Sequence, residues 1–310
     1  MIRLLLFISV FISMLSCNPI YYSNTVIYSS EELEQDKVVR LDLSNQNLNK
    51  LPNDITKFKN IKFLNLSNNP NLDFSSIGVV LIGFKHLEVL KLDSNRLEDL
   101  PAWAGQFLGI KHISLSYNQE LNLSKAFMYL KHLPSLEKLN LSHNGLTKIP
   151  ESISGLTHLK NVRLSYNAIN DAHSYSNLSK LSKLKFLWLD NNNIEVLPKN
   201  IGELSQITEL YLGDNTIKTL PKEIVGCKKL RILYLGNNQF DDLPDEILTM
   251  KLYMLVLYGN QIKYIPKSYK KLKNPLSILI LDKNYLDKKQ QKIAKKYFTG
   301  FFMLSFKNQQ

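Results

Sequence analysis

Cysteine is nearly absent from this 310-residue chain: Cys17 and Cys227 are its only two. Two thiols so far apart in sequence make no disulfide framework. The fold must therefore rest on packing and hydrogen bonds. Cys227 falls at an apolar position and reads as a small buried hydrophobe. A membrane-crossing helix needs ~20 apolar residues, and the N-terminal, mostly apolar stretch Leu4–Leu15 is only twelve residues long. The H-E-x-x-H, phosphate-loop and G-x-S-x-G patterns are missing, which leaves catalysis without a motif. Neither a cofactor nor a metal is expected. Arg and Glu disappear after Lys263. From there to Gln310 the chain has twelve Lys against Asp282 and Asp287, so +10 of the overall +12 lies in the last 48 residues. A positive stretch can favour membranes or nucleic acid. No aromatic–basic nucleic-acid fingerprint accompanies it, so it reads as a solvated Lys-rich cap with no nucleic-acid partner expected.

What is present is repetition. The composition is 44% hydrophobic and 21% charged, which suits a folded chain. Apolar residues at Leu184, Leu187, Leu189, Ile194, Leu197, Ile201 and Leu204 return 23 residues later, and again after that. Units open at Val38, Ile61, Leu87, Ile110, Leu136, Leu159, Leu184, Ile207, Leu230, Leu252 and Leu276, and five of the ten intervals are 23 residues. A fixed slot holds Asn in ten of eleven units, from Asn69 to Asn284, with Gln46 in the first. Such a period predicts a solenoid, because one unit cannot bury its own apolar side. An Asn amide both donates and accepts, so a stack of them can tie each turn to the next.

The unit L-x-x-L-x-L-x-x-N-x-L, followed by L-P-x-x-I-x-x-L, resembles the leucine-rich repeat. The resemblance implies an α/β horseshoe solenoid with a parallel sheet on the concave face and short helices or 3₁₀ turns on the convex face. It also implies a protein-binding scaffold. The units at Ile61 and Ile110 run 26 residues and that at Leu159 runs 25; the 26-residue tails, over 76–84 and 124–133, look like fuller helices.

The N-terminus opens with Arg3 and an apolar stretch of signal-peptide length. Met14-Leu15-Ser16-Cys17 resembles the lipobox of bacterial lipoproteins, which implies cleavage before Cys17 and its acylation. An ordinary secretory signal and an uncleaved anchor stay open. Residues 1–16 are therefore taken as a signal peptide. Residues 17–37 form a tether and cap helix, with Ser29 and Glu32 as a capping box. Residues 38–285 carry about eleven repeats, and 286–310 form a helix–strand cap in which Gly300 ends a helix over 288–297. The expected place is the cell envelope, as a lipoprotein anchored in the outer membrane or at the cell surface. Secretion is the alternative, or an intracellular signalling scaffold if the signal is not one.

The residue between the two strand leucines faces the concave side. It runs Asp42, Asn65, Lys91, Ser114, Asn140, Arg163, then Trp188, Tyr211, Tyr234, Val256, Ile280. The face thus changes from polar to apolar at Trp188. An apolar patch on a solvent face needs a reason, and Trp and Tyr are enriched at binding hot spots. Phe186, Trp188, Tyr211, Tyr234, Met254 and Tyr258 are therefore the candidate site for a protein partner. A glycan stacking on the rings is the second reading, and a purely structural or adhesive surface the third. Aromatics also simply suit strands, and the C-terminal cap could fold over the last of them. His112 and His143 fall at concave positions near Asp93, Ser116 and Ser142. A Ser/His/Asp arrangement is conceivable there, but Ser recurs at that slot in five units and reads as a repeat feature.

Overall fold

The structure is a computed structural model that describes residues 25–27, 37–272 and 275–310. The signal segment, Cys17 and the capping box at Ser29 lie outside the described residues. The strands are three residues long: β1 Thr25–Ile27, β2 Arg40–Asp42, β3 Phe63–Asn65, β4 Val89–Lys91, β5 His112–Ser114, β6 Lys138–Asn140, β7 Asn161–Arg163, β8 Phe186–Trp188, β9 Glu209–Tyr211, β10 Ile232–Tyr234, β11 Met254–Val256, β12 Ile278–Ile280 and β13 Met303–Ser305. They form one parallel sheet in chain order. β2–β12 each begin two residues into a sequence unit. β1 was not anticipated: part of the tether adds itself to β2. Three consecutive β-branched residues, Thr25-Val26-Ile27, favour that extended backbone.

Alternation along each strand sends the middle residue inward. Leu41, Leu64, Leu90, Leu187, Leu210 and Leu233 are all buried in one continuous spine. Their neighbours on either side face the concavity. The pairing keeps equivalent positions in register, as in Arg163↔Trp188, Trp188↔Tyr211 and Tyr211↔Tyr234.

The other wall depends on unit length. The 22- to 24-residue units make 3₁₀ turns, and from Ala102 onward each follows a proline: Pro101, Pro150, Pro198, Pro221, Pro244 and Pro266. Each proline lacks an N–H, which costs nothing there, while its carbonyl accepts the first bond of the turn, as from Ile201 N–H at 3.0 Å. The units with two or three extra residues make α-helices instead: α1 Gly78–Ile82, α2 Leu123–Leu130 and α3 Ala172–Ser179. Asn122 and Asp171 cap α2 and α3 by accepting from Lys125 N–H and Ser174 N–H. At the C-terminus, α4 Lys288–Tyr297 packs Phe298 edge-on against Tyr269, and Gly300 at φ +87° turns the chain into β13. Cys227 is buried, its thiol pointing at Ile201 O and its pKa pushed up to about 12 by burial.

The turn after each strand is held by the repeated asparagine. Asn215 accepts from Asn192 N–H at 2.9 Å and Ile194 N–H at 3.0 Å, and donates to Leu189 O and Leu212 O at 3.0 Å each. The residue just before each asparagine, from Asn68 to Lys283, has φ between +51° and +67°. Only this left-handed step swings the backbone groups toward the next amide. Replacing Asn215 with Leu takes the side-chain partner from two buried N–H groups and from Leu189 O, while Leu212 O keeps its bond from Asn238. We expect a loss of about 3 kcal/mol or more, measured as a lowered urea midpoint, and no comparable loss for Thr219→Leu at an exposed position of the same unit.

Candidate functional site

Registered pairing turns the concave side into columns, and the column after the central leucine changes character at Arg163. Trp188 and Tyr211 lie parallel, centroids 4.9 Å apart with an interplanar angle of 1°. The Arg163 guanidinium sits 4.8 Å from the Trp188 ring centroid from the preceding strand. Trp188 therefore has a ring on one face and a cation on the other. Tyr211 donates its hydroxyl to Glu209 at 2.6 Å. Tyr234 follows at 6.2 Å and 33°, then Tyr258 at 6.2 Å and 65°. Glycine makes this tilting possible. A Cβ on Gly213 would lie 2.6 Å from the Tyr234 ring, and one on Gly236 would lie 2.5 Å from the Tyr258 ring.

None of these aromatics points into the spine. Ile232, Met254, Val256 and Ile278 form a second apolar cluster, separate from the spine and flanked by Tyr234, Tyr253, Tyr258 and Ile280. The expected open patch is, however, partly closed on itself. Trp188, Tyr211 and Met254 are only 7–9% exposed, because in-register neighbours cover one another sideways. Phe186, Tyr234 and Tyr258 are half-buried and carry most of the accessible surface among the six. The C-terminal cap continues the sheet through β13.

The polar half forms a concavity of about 440 Å³, with Arg40, Lys91, Lys138 and Arg163 on its wall against Asp42 and Asp93. Both acids are occupied internally. Asp42 accepts from Ser44 N–H and hydroxyl and from Asn65. Asp93 accepts from the hydroxyls of Ser114 and Ser116, from Ser116 N–H, and pairs with Lys91 at 3.4 Å. His112 takes no part in this network. Burial, then Lys138, lower its pKa to about 4, with Asp93 opposing. His143 is elsewhere: on the turn, stacked between Tyr117 and Tyr166 at 4.0 and 4.1 Å. His173 meets Asp171 at 3.3 Å and that carboxylate accepts from the Ser174 hydroxyl, but the serine does not bond the imidazole; neither His112 nor His143 joins Asp93, Ser116 or Ser142, so the arrangement a triad requires is not formed at the position the sequence offered. The Tyr117–His143–Tyr166 stack went unread in the sequence, although its three residues share the position before the spine asparagine. No group of side chains suited to a metal occurs among the described residues, and no helix there is long and apolar enough to cross a membrane.

Residues 163–247 match a family described as a leucine-rich repeat region, and residues 126–169 match a leucine rich repeat family. No curated protein matches the chain. Among solved structures, it is similar to a leucine-rich-repeat protein of Leptospira interrogans at 27% identity, with 93% of this chain and 83% of that one covered and a TM-score of 0.67. An internalin of Listeria monocytogenes is similar at 22% identity, 82% and 76% coverage and a TM-score of 0.60. TLR13, in a complex with ssRNA13, is similar at 24% identity and a TM-score of 0.68, with 84% of this chain but 41% of that one covered. The last two likenesses concern the fold alone.

Two buried groups on the concave side give stability opposite pH dependences. His112 stays neutral in the fold down to about 4, whereas the unfolded chain takes up that proton below about 6.5. Its contribution therefore falls as pH drops from 6.5 to 4. Burial raises the Asp190 carboxyl to about 6, against the pull of Gly213 N–H and Ser165. It keeps its proton while the unfolded chain releases one, so its contribution is lost as pH rises from 3.8 to 6. The two offset each other between pH 4 and 6, each by up to about 3 kcal/mol. His112→Gln should gain stability on acidification through that range and Asp190→Asn should lose it, read from urea midpoints.

Proposed function

We propose, from the premise that this chain is a leucine-rich-repeat protein, that it is a non-catalytic binding protein of the cell envelope. It holds a protein partner in its concave face and is anchored by lipid on Cys17. One observation carries the binding reading. Four concave apolar residues, Ile232, Met254, Val256 and Ile278, form a cluster of their own outside the spine, with half-buried tyrosines along its border. The spine does not need them, since it is continuous from Val38 to Phe298 without them. Half-buried tyrosines over an apolar cluster, on a rigid curved sheet, suit a partner's apolar anchors.

The covered ring faces favour a protein over a glycan or a nucleic acid. Sugars and bases stack on open ring faces, and both faces of Trp188 are taken. The anchoring reading rests on Met14-Leu15-Ser16-Cys17 and the apolar stretch before it.

The binding test places a photoreactive phenylalanine analogue at Tyr258 and, separately, at Val196 on the convex side, which is 76% exposed. Adducts should form from Tyr258 and not from Val196. Phe186→Ala with Tyr258→Ala should lower partner capture at least tenfold at an almost unchanged urea midpoint. Adducts from Val196 alone would place the partner on the outer wall. For the anchor, intact-mass analysis of the mature N-terminus should find an acylated Cys17; a free amino terminus elsewhere removes it.

A further inference from the structure

The two halves of the groove meet at Arg163, and the chemistry there is unfinished. The Arg163 guanidinium sits over Trp188, 4.8 Å from the ring centroid, and lines the polar concavity at its boundary with the aromatic strands. Among the described residues its guanidinium makes no hydrogen bond. Lys138, diagonal to it across β6 and β7, has no ion pair or hydrogen bond there either. Both line the same concavity. Every nearby acid is already engaged: Asp42 by Ser44 and Asn65, Asp93 by Ser114, Ser116 and Lys91. Asp190 accepts from Gly213 N–H at 2.9 Å and Ser165 at 3.3 Å; it attracts Arg163 without bonding to it. The remaining polar side chains around these cations, such as Asn140 and Asn161, are uncharged. The concavity thus presents two cations with free donors and no acid left to meet them.

We infer that Arg163 and Lys138 form a carboxylate-binding subsite, and that the groove takes an extended peptide segment carrying acidic residues at one end and apolar residues at the other. This rests on the concave protein-binding reading and specifies its ligand. A guanidinium is planar by its own bonding and pairs a carboxylate through two parallel N–H···O bonds. The other end is received by the half-buried Tyr234, Tyr258 and Ile280, which lie over the apolar cluster of Ile232, Met254, Val256 and Ile278. The distance between the two sets a spacing. From β7 to β10 or β11 is three or four strand intervals, roughly 14–19 Å at ~4.8 Å each. An extended chain covers ~3.3 Å per residue, so the acidic and apolar anchors lie about four to six residues apart. A peptide is favoured over an anionic glycan because the apolar floor offers hydroxyls no partner and Trp188 has no free face for a sugar ring.

The test pans a phage-displayed library of random dodecapeptides against the full chain. Enriched sequences should carry Asp or Glu four to six positions from aromatic or aliphatic residues. A synthetic peptide of that consensus is then titrated by tryptophan fluorescence. Trp188 reports the Arg163 environment, whereas Trp103 is buried on the outer wall and donates to Phe74 O at 2.7 Å. Arg163→Gln with Lys138→Gln should weaken binding at least tenfold, Arg163→Lys should fall between, and urea midpoints show that each variant folds. Exchanging the peptide's acids for amides should weaken binding to the native chain equally, and add nothing in the double variant.

A consensus without acids, no enrichment, or equal affinity in the double variant overturns the inference. If Tyr234→Ala with Met254→Ala then still abolishes binding, the concave protein-binding reading stands and only the carboxylate subsite falls. If enriched peptides ignore both pairs of substitutions, both readings fall. Heparin shifting Trp188 emission at lower concentration than the acidic peptide assigns the cations to an anionic glycan and also overturns it.

Discussion

The buried asparagine amide is what makes a stack of three-residue strands stable. A strand that short satisfies little of its own backbone, and the turn that follows would bury N–H and carbonyl groups with no partner. The Asn215 side chain meets five such groups at once, three of them in the preceding unit: Asn192 N–H, Ile194 N–H and Leu189 O. Unsatisfied buried groups cost about 1–3 kcal/mol apiece. The amide therefore couples neighbouring units by more than any one leucine contact does, and at a fixed geometry. It also requires a left-handed residue immediately before it, which recurs at each of these turns from Asn68 to Lys283.

Because that coupling leaves no freedom of register, equivalent residues of successive units lie side by side. The concave face is then a set of columns, and its chemistry changes only where the sequence of a column changes. The column through Arg163 and Trp188 changes once, from polar to aromatic. A groove with two chemistries follows from a single boundary. The same registration accounts for the spare charge. Asp42 and Asp93 lie in columns where serine and asparagine recur, so repeat neighbours engage them. Lys138 and Arg163 have no acid at the neighbouring positions of their columns.

How much of this was legible in the sequence depended on whether the deciding interaction was periodic. The strands β2–β12, the asparagine turns and the proline-led 3₁₀ turns follow from residues that recur at fixed spacing, and α1 and α2 from the two 26-residue units that lengthen it; α3, in the 25-residue unit, was not read from the sequence. β1 stood outside the period, so its three β-branched residues carried no repeat signal. The aromatic identities of the candidate site were readable, but their exposure was not. Whether Trp188 offers a face or an edge depends on Arg163 and Tyr211, and on ring angles that a one-letter string does not encode. The Tyr117–His143–Tyr166 stack was readable in principle. Its members share the slot before the asparagine, yet that slot holds Asn, Asp, Ser or Gly in most other units and reads as a turn position. The lack of an acid opposite Arg163 and Lys138 needed the hydrogen bonds of Asp42, Asp93 and Asp190 before it meant anything.

The spacing of the sheet itself limits what aromatics in consecutive units can do. Strands repeat at about 4.8 Å, and Trp188 and Tyr211 are separated by nearly that distance, 4.9 Å. Rings on adjacent strands with side-chain-bearing neighbours can lie only as parallel plates, faces shut and edges outward. Tyr234 and Tyr258 escape this because Gly213 and Gly236 leave room beside them, and they tilt by 33° and 65°. The glycines thus determine where the column stops being a closed stack and becomes an apolar surface. The face presents ring edges and a guanidinium at Arg163–Tyr211, and tilted rings over aliphatic side chains from Tyr234 onward. That order of contacts suits a chain of mixed side chains better than any ligand that must slide a flat ring between two others.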